Sequence, residues 1–215
     1  MIPIGDDNSQ RRIIPVVTWL LVGANILVFL MEMAGGDEFV YTWAFTPAYF
    51  TQNPTNFFIT IFTSMFMHGG WMHLIGNMLF LWIYGNNIED YFGPIKFIFF
   101  YLLSGLAAIG LYTLFGPNSE IPLVGASGAI AGVMGGYMVL HPRARITVLM
   151  IFVFIQFMVL PAKVVLGIWF AYQLLMSFMG SSTGGGVAWM AHVGGFAFGY
   201  LLLRLFAKNR GISPP

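Results

Sequence analysis

Apolar runs dominate the chain and predict helices that cross a membrane. A helix needs about 20 residues to cross a bilayer, and runs of roughly that length lie at residues 13–31, 95–115, 121–140, 161–180 and 187–207. A sixth run, more polar at its start, covers residues 70–87. Segments 57–67 and 146–160 are shorter and are interpreted as interfacial or re-entrant. The pattern predicts an all-α membrane protein with six transmembrane helices and an interface loop between helices 1 and 2.

Positive charges give this bundle an orientation, because Lys and Arg collect on the cytoplasmic side of membrane proteins. With six spans, all nine Lys and Arg residues of the chain lie on one side of the membrane: Arg11, Arg12, Lys96, Arg143, Arg145, Lys163, Arg204, Lys208 and Arg210. A seventh span at 146–160 would divide them and is rejected. We therefore predict a short cytoplasmic N-terminus (1–12), one membrane domain (13–207) and a cytoplasmic tail (208–215). A cleaved signal peptide is the alternative for the first span, but its apolar core is long and "MEMAGG" is a poor cleavage site.

Composition agrees with a membrane protein and removes several kinds of chemistry. The 215 residues are 58% hydrophobic and 8% charged, with a mean hydropathy of +0.81, whereas soluble domains carry about a quarter charged residues. The chain has no cysteine, so disulfides, thiolate metal sites and cysteine nucleophiles do not occur. A net charge of +1 without a basic cluster gives no indication of nucleic-acid binding.

Four polar side chains inside the predicted spans fall at a similar depth. Counting about 1.5 Å per helical residue from the outer ends, Ser127 lies roughly 9 Å deep, His192 roughly 8 Å, and His73 and Asn77 between roughly 5 and 10 Å. A single serine or asparagine in a membrane helix is commonly a packing feature. Four such groups at one level indicate a functional site, because polar groups in a membrane are costly.

Glycines provide a reason for the serine and the histidine to meet. The fourth predicted span carries a strip without side chains, formed by Gly128, Gly132, Gly135 and Gly136. On the sixth span, His192, Gly195 and Gly199 share one helical face. Two glycine-lined helices approach closely, which would bring the Ser127 hydroxyl within reach of the His192 ring. Such a pair is a nucleophile and its general base.

The remaining groups of an acyl-transfer site are assigned by their chemistry. All eight acidic residues are expected in termini or loops, which predicts a Ser–His dyad without a carboxylate and a histidine oriented by packing. Donors for a developing oxyanion are His73, Asn77 and the backbone N–H of Ser127.

Three segments of the sequence resemble the signatures of the rhomboid intramembrane serine proteases. These are "GASG" around Ser127, "AHVGGFAFG" around His192, and "HGGWMHLIGNMLFLWIYG" around His73 and Asn77, in the family's order. The similarity spans nearly the whole chain. It implies a six-helix bundle with a water-filled cavity open to the outer face, and Gly125 in the turn that begins the serine helix.

The same resemblance implies roles and surroundings for the site. Ser127 would be the nucleophile, His192 the general base, and His73, Asn77 and the Ser127 amide the oxyanion hole, with no cofactor. Substrates would be single-span membrane proteins that approach beside the fifth helix.

The location would be a plasma membrane, as in bacterial inner-membrane members, and the oligomeric state stays open. Some family members have an aromatic residue four positions after the serine, stacked on the histidine, where this chain has Ala131.

The same residues are compatible with two alternative functions. His73 and His192, with His68 nearby, could instead hold haem or a metal ion, although this leaves Ser127 and its glycines unexplained. A non-catalytic rhomboid-like protein that binds membrane clients is the other alternative, disfavoured because both dyad residues are present.

The glycine-rich segment 180–189 is expected to be a mobile cap above His192, with a plain linker as the alternative.

Overall fold

Helices form most of the protein in a computed structural model that describes residues 1–7, 11–151, 154–179 and 188–209. The helices are α1 (Val16–Trp43), α2 (Pro47–Gln52), α3 (Pro54–Phe57), α4 (Thr60–Thr63), α5 (Trp71–Phe92), α6 (Pro94–Phe115), α7 (Ser127–Leu140), α8 (Ala162–Met179) and α9 (Trp189–Asn209). A 3-10 turn, Ser64–Phe66, follows α4. Helix α1 is kinked at Gly36, whose backbone angles are not helical.

Four of the described helices are long and apolar enough to cross a membrane: α1, α6, α8 and α9. Their outward side chains include exposed Leu20, Leu114 and Phe178, and such a surface suits lipid rather than water. Helix α5 has 22 residues but is more polar, and α7 has only 14. The protein is therefore a membrane-embedded helical bundle, while the count of six spans stays a prediction.

Segment 146–160 is not helical, so the all-α prediction is wrong in this part of the chain. It forms most of an antiparallel hairpin, β2 (Arg145–Ile151) with β3 (Ile155–Pro161), and β1 (Ile2–Asp6) pairs with the other edge of β2. Part of the expected N-terminal segment 1–12 is thus a strand. Ile146 and Val148 are buried, and their packing fixes the sheet to the helices.

The serine helix starts later than the sequence analysis predicts. Residues 121–126 precede α7, and Leu123 forms an antiparallel bridge with Phe45. The amide of Gly125 donates to the Ser64 carbonyl at 2.9 Å. The predicted helix over 121–140 is therefore wrong at its start, and the depth of Ser127 cannot be counted by helical rise from residue 121.

Helix α7 lies at the centre of the bundle and packs most extensively on α9. Eleven of its residues are buried. A Cβ built on Gly195 would lie 1.9 Å from the Gly128 carbonyl oxygen, and one on Gly199 would lie 1.9 Å from that of Gly132. The two backbones are therefore in direct contact, and only glycine fits at these crossing points.

Five acidic residues lie on helices, which corrects their assignment to loops. Helix α1 contains Glu32, Asp37 and Glu38, and α5 contains Glu89 and Asp90 near its end. The Glu89 carboxylate accepts bonds from the amides of Val17 and Thr18 at 2.9 and 2.8 Å, and from the Thr18 hydroxyl at 2.8 Å. Helix α1 has no cap from its own N-cap residue, so Glu89 satisfies its first amides from another helix.

Candidate active site

The structure brings Ser127 and His192 into hydrogen-bond contact. Ser127 is the first residue of α7, and His192 lies in the first turn of α9. The distance between Ser127 Oγ and His192 Nε2 is 2.8 Å. Close contact between the glycines of α7 and α9 positions both residues, because no side chain separates the two helix starts. A hydroxyl bonded to an imidazole nitrogen is suited to nucleophilic attack.

Gln173 on α8 is a third member of this hydrogen-bonded chain, and the sequence analysis missed it. Its Oε1 lies 2.7 Å from His192 Nδ1, and the side chain is only 4% exposed. The bond joins α8 to α9 at the ring edge opposite Ser127. A signal was present in the sequence, because a glutamine within the apolar run "WFAYQLLM" is costly in a membrane and needs a partner.

Aromatic rings from two helices surround His192. Trp169, one turn before Gln173 on α8, lies with its ring centroid 5.8 Å from that of His192. Trp189 meets the same ring edge-on at 6.4 Å. Ala131 is fully buried and faces Gly195 in the contact between α7 and α9. Ala131 thus makes no aromatic contact with His192, and the rings that approach the histidine come from α8 and from the start of α9.

His73 lies across the cavity from His192, and its contacts indicate which ring nitrogen carries a proton. The Gly69 amide donates to His73 Nδ1 at 3.3 Å. A neutral imidazole that accepts at Nδ1 carries its hydrogen on Nε2. A Cβ built on Gly125 would lie 3.0 Å from His73 Nε2 and 3.3 Å from Ser127 Oγ. The donor edge of His73 thus lies beside the serine, and Gly125, with φ +135°, leaves this space open.

Asn77 is one turn further along α5 than His73 and contributes a donor without a partner. Its side chain is 8% exposed, and its Nδ2 is buried with no hydrogen-bond acceptor among the described residues. Buried amide groups are almost always bonded. An unused N–H donor on the same cavity as Ser127 is therefore available to a bound group.

The ring of His68 packs against the ring of His73. Their ring centroids are 5.1 Å apart in an edge-on arrangement, and the His68 amide donates to the Glu32 carboxylate at 2.9 Å. Burial, with a smaller contribution from the neighbouring His73, lowers the pKa of the His68 ring to about 4. His68 is therefore neutral at physiological pH and adds no charge beside His73.

A cavity of about 580 Å³ is lined by the site residues described above other than His68, namely His73, Asn77, Ser127, Gln173 and His192. The rest of its wall is mainly apolar, with Met72, Phe80, Ile130 and Met134 among the lining residues. A cavity of this size and composition is typical of ligand-binding sites. Of the segment 180–189, expected to be a cap, residues 180–187 lie outside the described residues, so that expectation stays a prediction.

The fold and the cavity define an integral membrane protein with a hydroxyl–imidazole pair inside a helical bundle. The family model for the rhomboid domain matches residues 55–209. The chain belongs to the rhomboid family.

Individual relatives agree with this assignment. Rhomboid protein 1, mitochondrial, of Saccharomyces cerevisiae is 30% identical over 197 residues, covering 86% of this chain and 51% of the yeast protein. Rhomboid protease GluP of Bacillus subtilis is 32% identical over 123 residues, covering 56% of this chain and 24% of GluP. YdcA of the same bacterium is 27% identical over 222 residues, covering 96% of this chain and 97% of YdcA. The chain thus spans about half of the yeast protein and nearly all of YdcA.

Proposed function

We propose that the protein is an intramembrane serine endopeptidase that uses Ser127 as nucleophile and His192 as general base. The observation that carries the proposal is the 2.8 Å contact between Ser127 Oγ and His192 Nε2 at a cavity within the bundle. Ser127 Oγ attacks the substrate carbonyl carbon while His192 Nε2 takes the hydroxyl proton. The imidazolium then gives that proton to the leaving amine, and water releases the acyl group from Ser127 by the same proton transfers.

The oxyanion formed by this attack would receive hydrogen bonds from three donors. Asn77 Nδ2 is buried and unpartnered, and His73 Nε2 carries the hydrogen that Nδ1 lacks. The Ser127 amide is the first of α7, where helical geometry provides no intrahelical acceptor, and it lies at the positive end of the helix dipole. Donors held in place before the reaction stabilise the transition state without reorganisation.

The position of the cavity favours transmembrane segments of other proteins as substrates. Helices α5 and α8 both line the cavity but make few direct contacts with each other, so a chain could approach from the lipid between them. Hydrolysis needs water, which favours a site open to solvent near one membrane face. We propose six spans within one domain (13–207), cytoplasmic termini and an active site towards the outer face, with no cofactor required.

Cleavage of a single-span fluorescent substrate in liposomes tests the proposal. Ser127→Ala should abolish cleavage and also labelling of the protein by a fluorophosphonate, because both reactions require the serine oxygen. Equal cleavage by Ser127→Ala and the unmodified protein would contradict the serine mechanism.

The oxyanion assignment has a separate test. Asn77→Ala should slow cleavage by about tenfold to a thousandfold, the range for loss of one oxyanion donor, with little change in KM. Asn56→Ala is the matched control, because Asn56 is exposed on α3, away from the cavity lining. Loss of the same size in both variants would argue against a specific role of Asn77.

A further inference from the structure

We propose that Gln173 is a positioning residue that holds His192 in the one tautomer able to accept the serine proton. The inference rests on the proposed function, since it concerns how the base of that site is prepared. It is carried by the 2.7 Å contact between Gln173 Oε1 and His192 Nδ1, on a glutamine that is 4% exposed.

The two hydrogen bonds of His192 are coupled through its single ring proton. For Ser127 Oγ to donate to Nε2, that nitrogen must have a free lone pair, and a neutral imidazole then carries its hydrogen on Nδ1. The group that accepts from Nδ1–H therefore selects the active tautomer. Among the described residues, Gln173 Oε1 lies at His192 Nδ1 and is this acceptor. Serine proteases of the Ser-His-Asp type have a carboxylate in the same place.

A neutral amide suits this place better than a carboxylate. No described carboxylate bonds the His192 ring, whose partners are Gln173 and Ser127. The buried carboxylates of Glu32 and Glu89 accept from backbone amides elsewhere. A buried charge at membrane depth is costly, whereas the glutamine carbonyl orients the ring without carrying one. The rotation of His192 is limited further by Trp169, one helical turn from Gln173 on the same face of α8.

Gln173→Met is the decisive variant because methionine keeps the length of the side chain and removes the acceptor. Turnover should fall by about ten- to a hundredfold, with KM within about twofold, as expected for loss of one hydrogen bond that orients a base. Gln173→Glu should restore most of the turnover, since either form of its carboxyl group accepts from Nδ1–H. Gln156→Met, at an exposed position of β3, is the matched control and should match the unmodified protein.

Nitrogen-15 NMR of histidine-labelled protein reads the tautomer directly, independently of turnover. The His192 signals, identified by their loss in His192→Ala, should show Nδ1 protonated in the unmodified protein and a shift towards Nε2 protonation in Gln173→Met. An Nε2–H tautomer in the unmodified protein would overturn the inference. So would lost turnover in Gln173→Met with an unchanged tautomer and no recovery in Gln173→Glu, which would show a purely structural role.

The experiments distinguish failure of the serine mechanism from failure of the positioning role of Gln173. If Ser127→Ala still cleaves, the serine mechanism fails. If Ser127→Ala is inactive while Gln173→Met keeps full turnover and the same tautomer, only the role of Gln173 fails.

Discussion

Replacement of Glu89 by glutamine should destabilise the protein strongly, because its carboxylate joins two helices at a buried position. The side chain is 0% exposed, and it accepts three hydrogen bonds of 2.8 to 2.9 Å from Val17 and Thr18. Glutamine keeps one acceptor oxygen but turns an NH2 group towards N–H donors. It also removes the negative charge from the start of α1.

The magnitude follows from these contacts. A hydrogen bond to a charged group contributes about 1.5–3 kcal/mol, and a charge at a helix terminus contributes up to about 2 kcal/mol when it is partly buried. Loss of at least one bond and of the charge gives a decrease of about 2–5 kcal/mol in the free energy of unfolding. For a chain of this size that corresponds to a fall in Tm of roughly 4–20 °C.

Thermal unfolding in detergent micelles, followed by circular dichroism, measures this effect. Glu120→Gln is the matched control, because it makes the same chemical change at an exposed position and should leave Tm unchanged. In a chain of this size, a change of 1 kcal/mol in the free energy of unfolding shifts Tm by about 2–4 °C. The capping role is therefore refuted if the Tm values of Glu89→Gln and Glu120→Gln differ by less than about 2 °C.

Two further substitutions test the packing of the bundle and of the sheet. Gly199→Ala should lower the free energy of unfolding by about 3 kcal/mol or more, since its Cβ would lie 1.9 Å from a carbonyl oxygen of α7, whereas Gly167→Ala meets nothing within 4 Å. Equal Tm values for these two variants would show that the helices adjust freely. Tyr137→Phe removes the 2.8 Å bond from its hydroxyl to Asp6 Oδ2 and should speed hydrogen exchange in β1. Unchanged exchange there would mean that this bond does not hold the strand.

The meeting of Ser127 and His192 could be predicted because several independent signals agreed. The distribution of Lys and Arg predicted that both helices begin on the outer side, and the spacing of their glycines predicted close contact. Polar side chains such as Ser127 and His192 are unfavourable in a membrane unless they have a partner or a function. The contact is present although the predicted start of the serine helix was wrong, because it depends on the glycine contact between α7 and α9 and not on residues 121–126. The contact between Gln173 and His192 was missed, since the sequence does not show that α8 lies beside α9 and brings the amide to the histidine.

The hairpin could not be distinguished from a helix by its sequence pattern. Residues 146–160 form a nearly continuous apolar run without glycine, proline, asparagine or aspartate, so neither alternation nor a turn signal was present. Its β-branched and aromatic residues favour strands, but the same composition is common in membrane helices. The partner strand β1 lies at the far end of the chain, where local patterns give no indication of pairing.

The pairing of β1 with β2 has a consequence for biosynthesis. Ile2 pairs with Leu149, so the backbone groups of β1 that face β2 find their partners only after α1 to α7 have been synthesised. Such distant closures form late, because the chain between the partners must first be ordered. Strand β1 is therefore expected to stay unpaired while α1 to α7 are synthesised, and it can pair with β2 before α8 and α9, which follow in the chain, have joined the bundle.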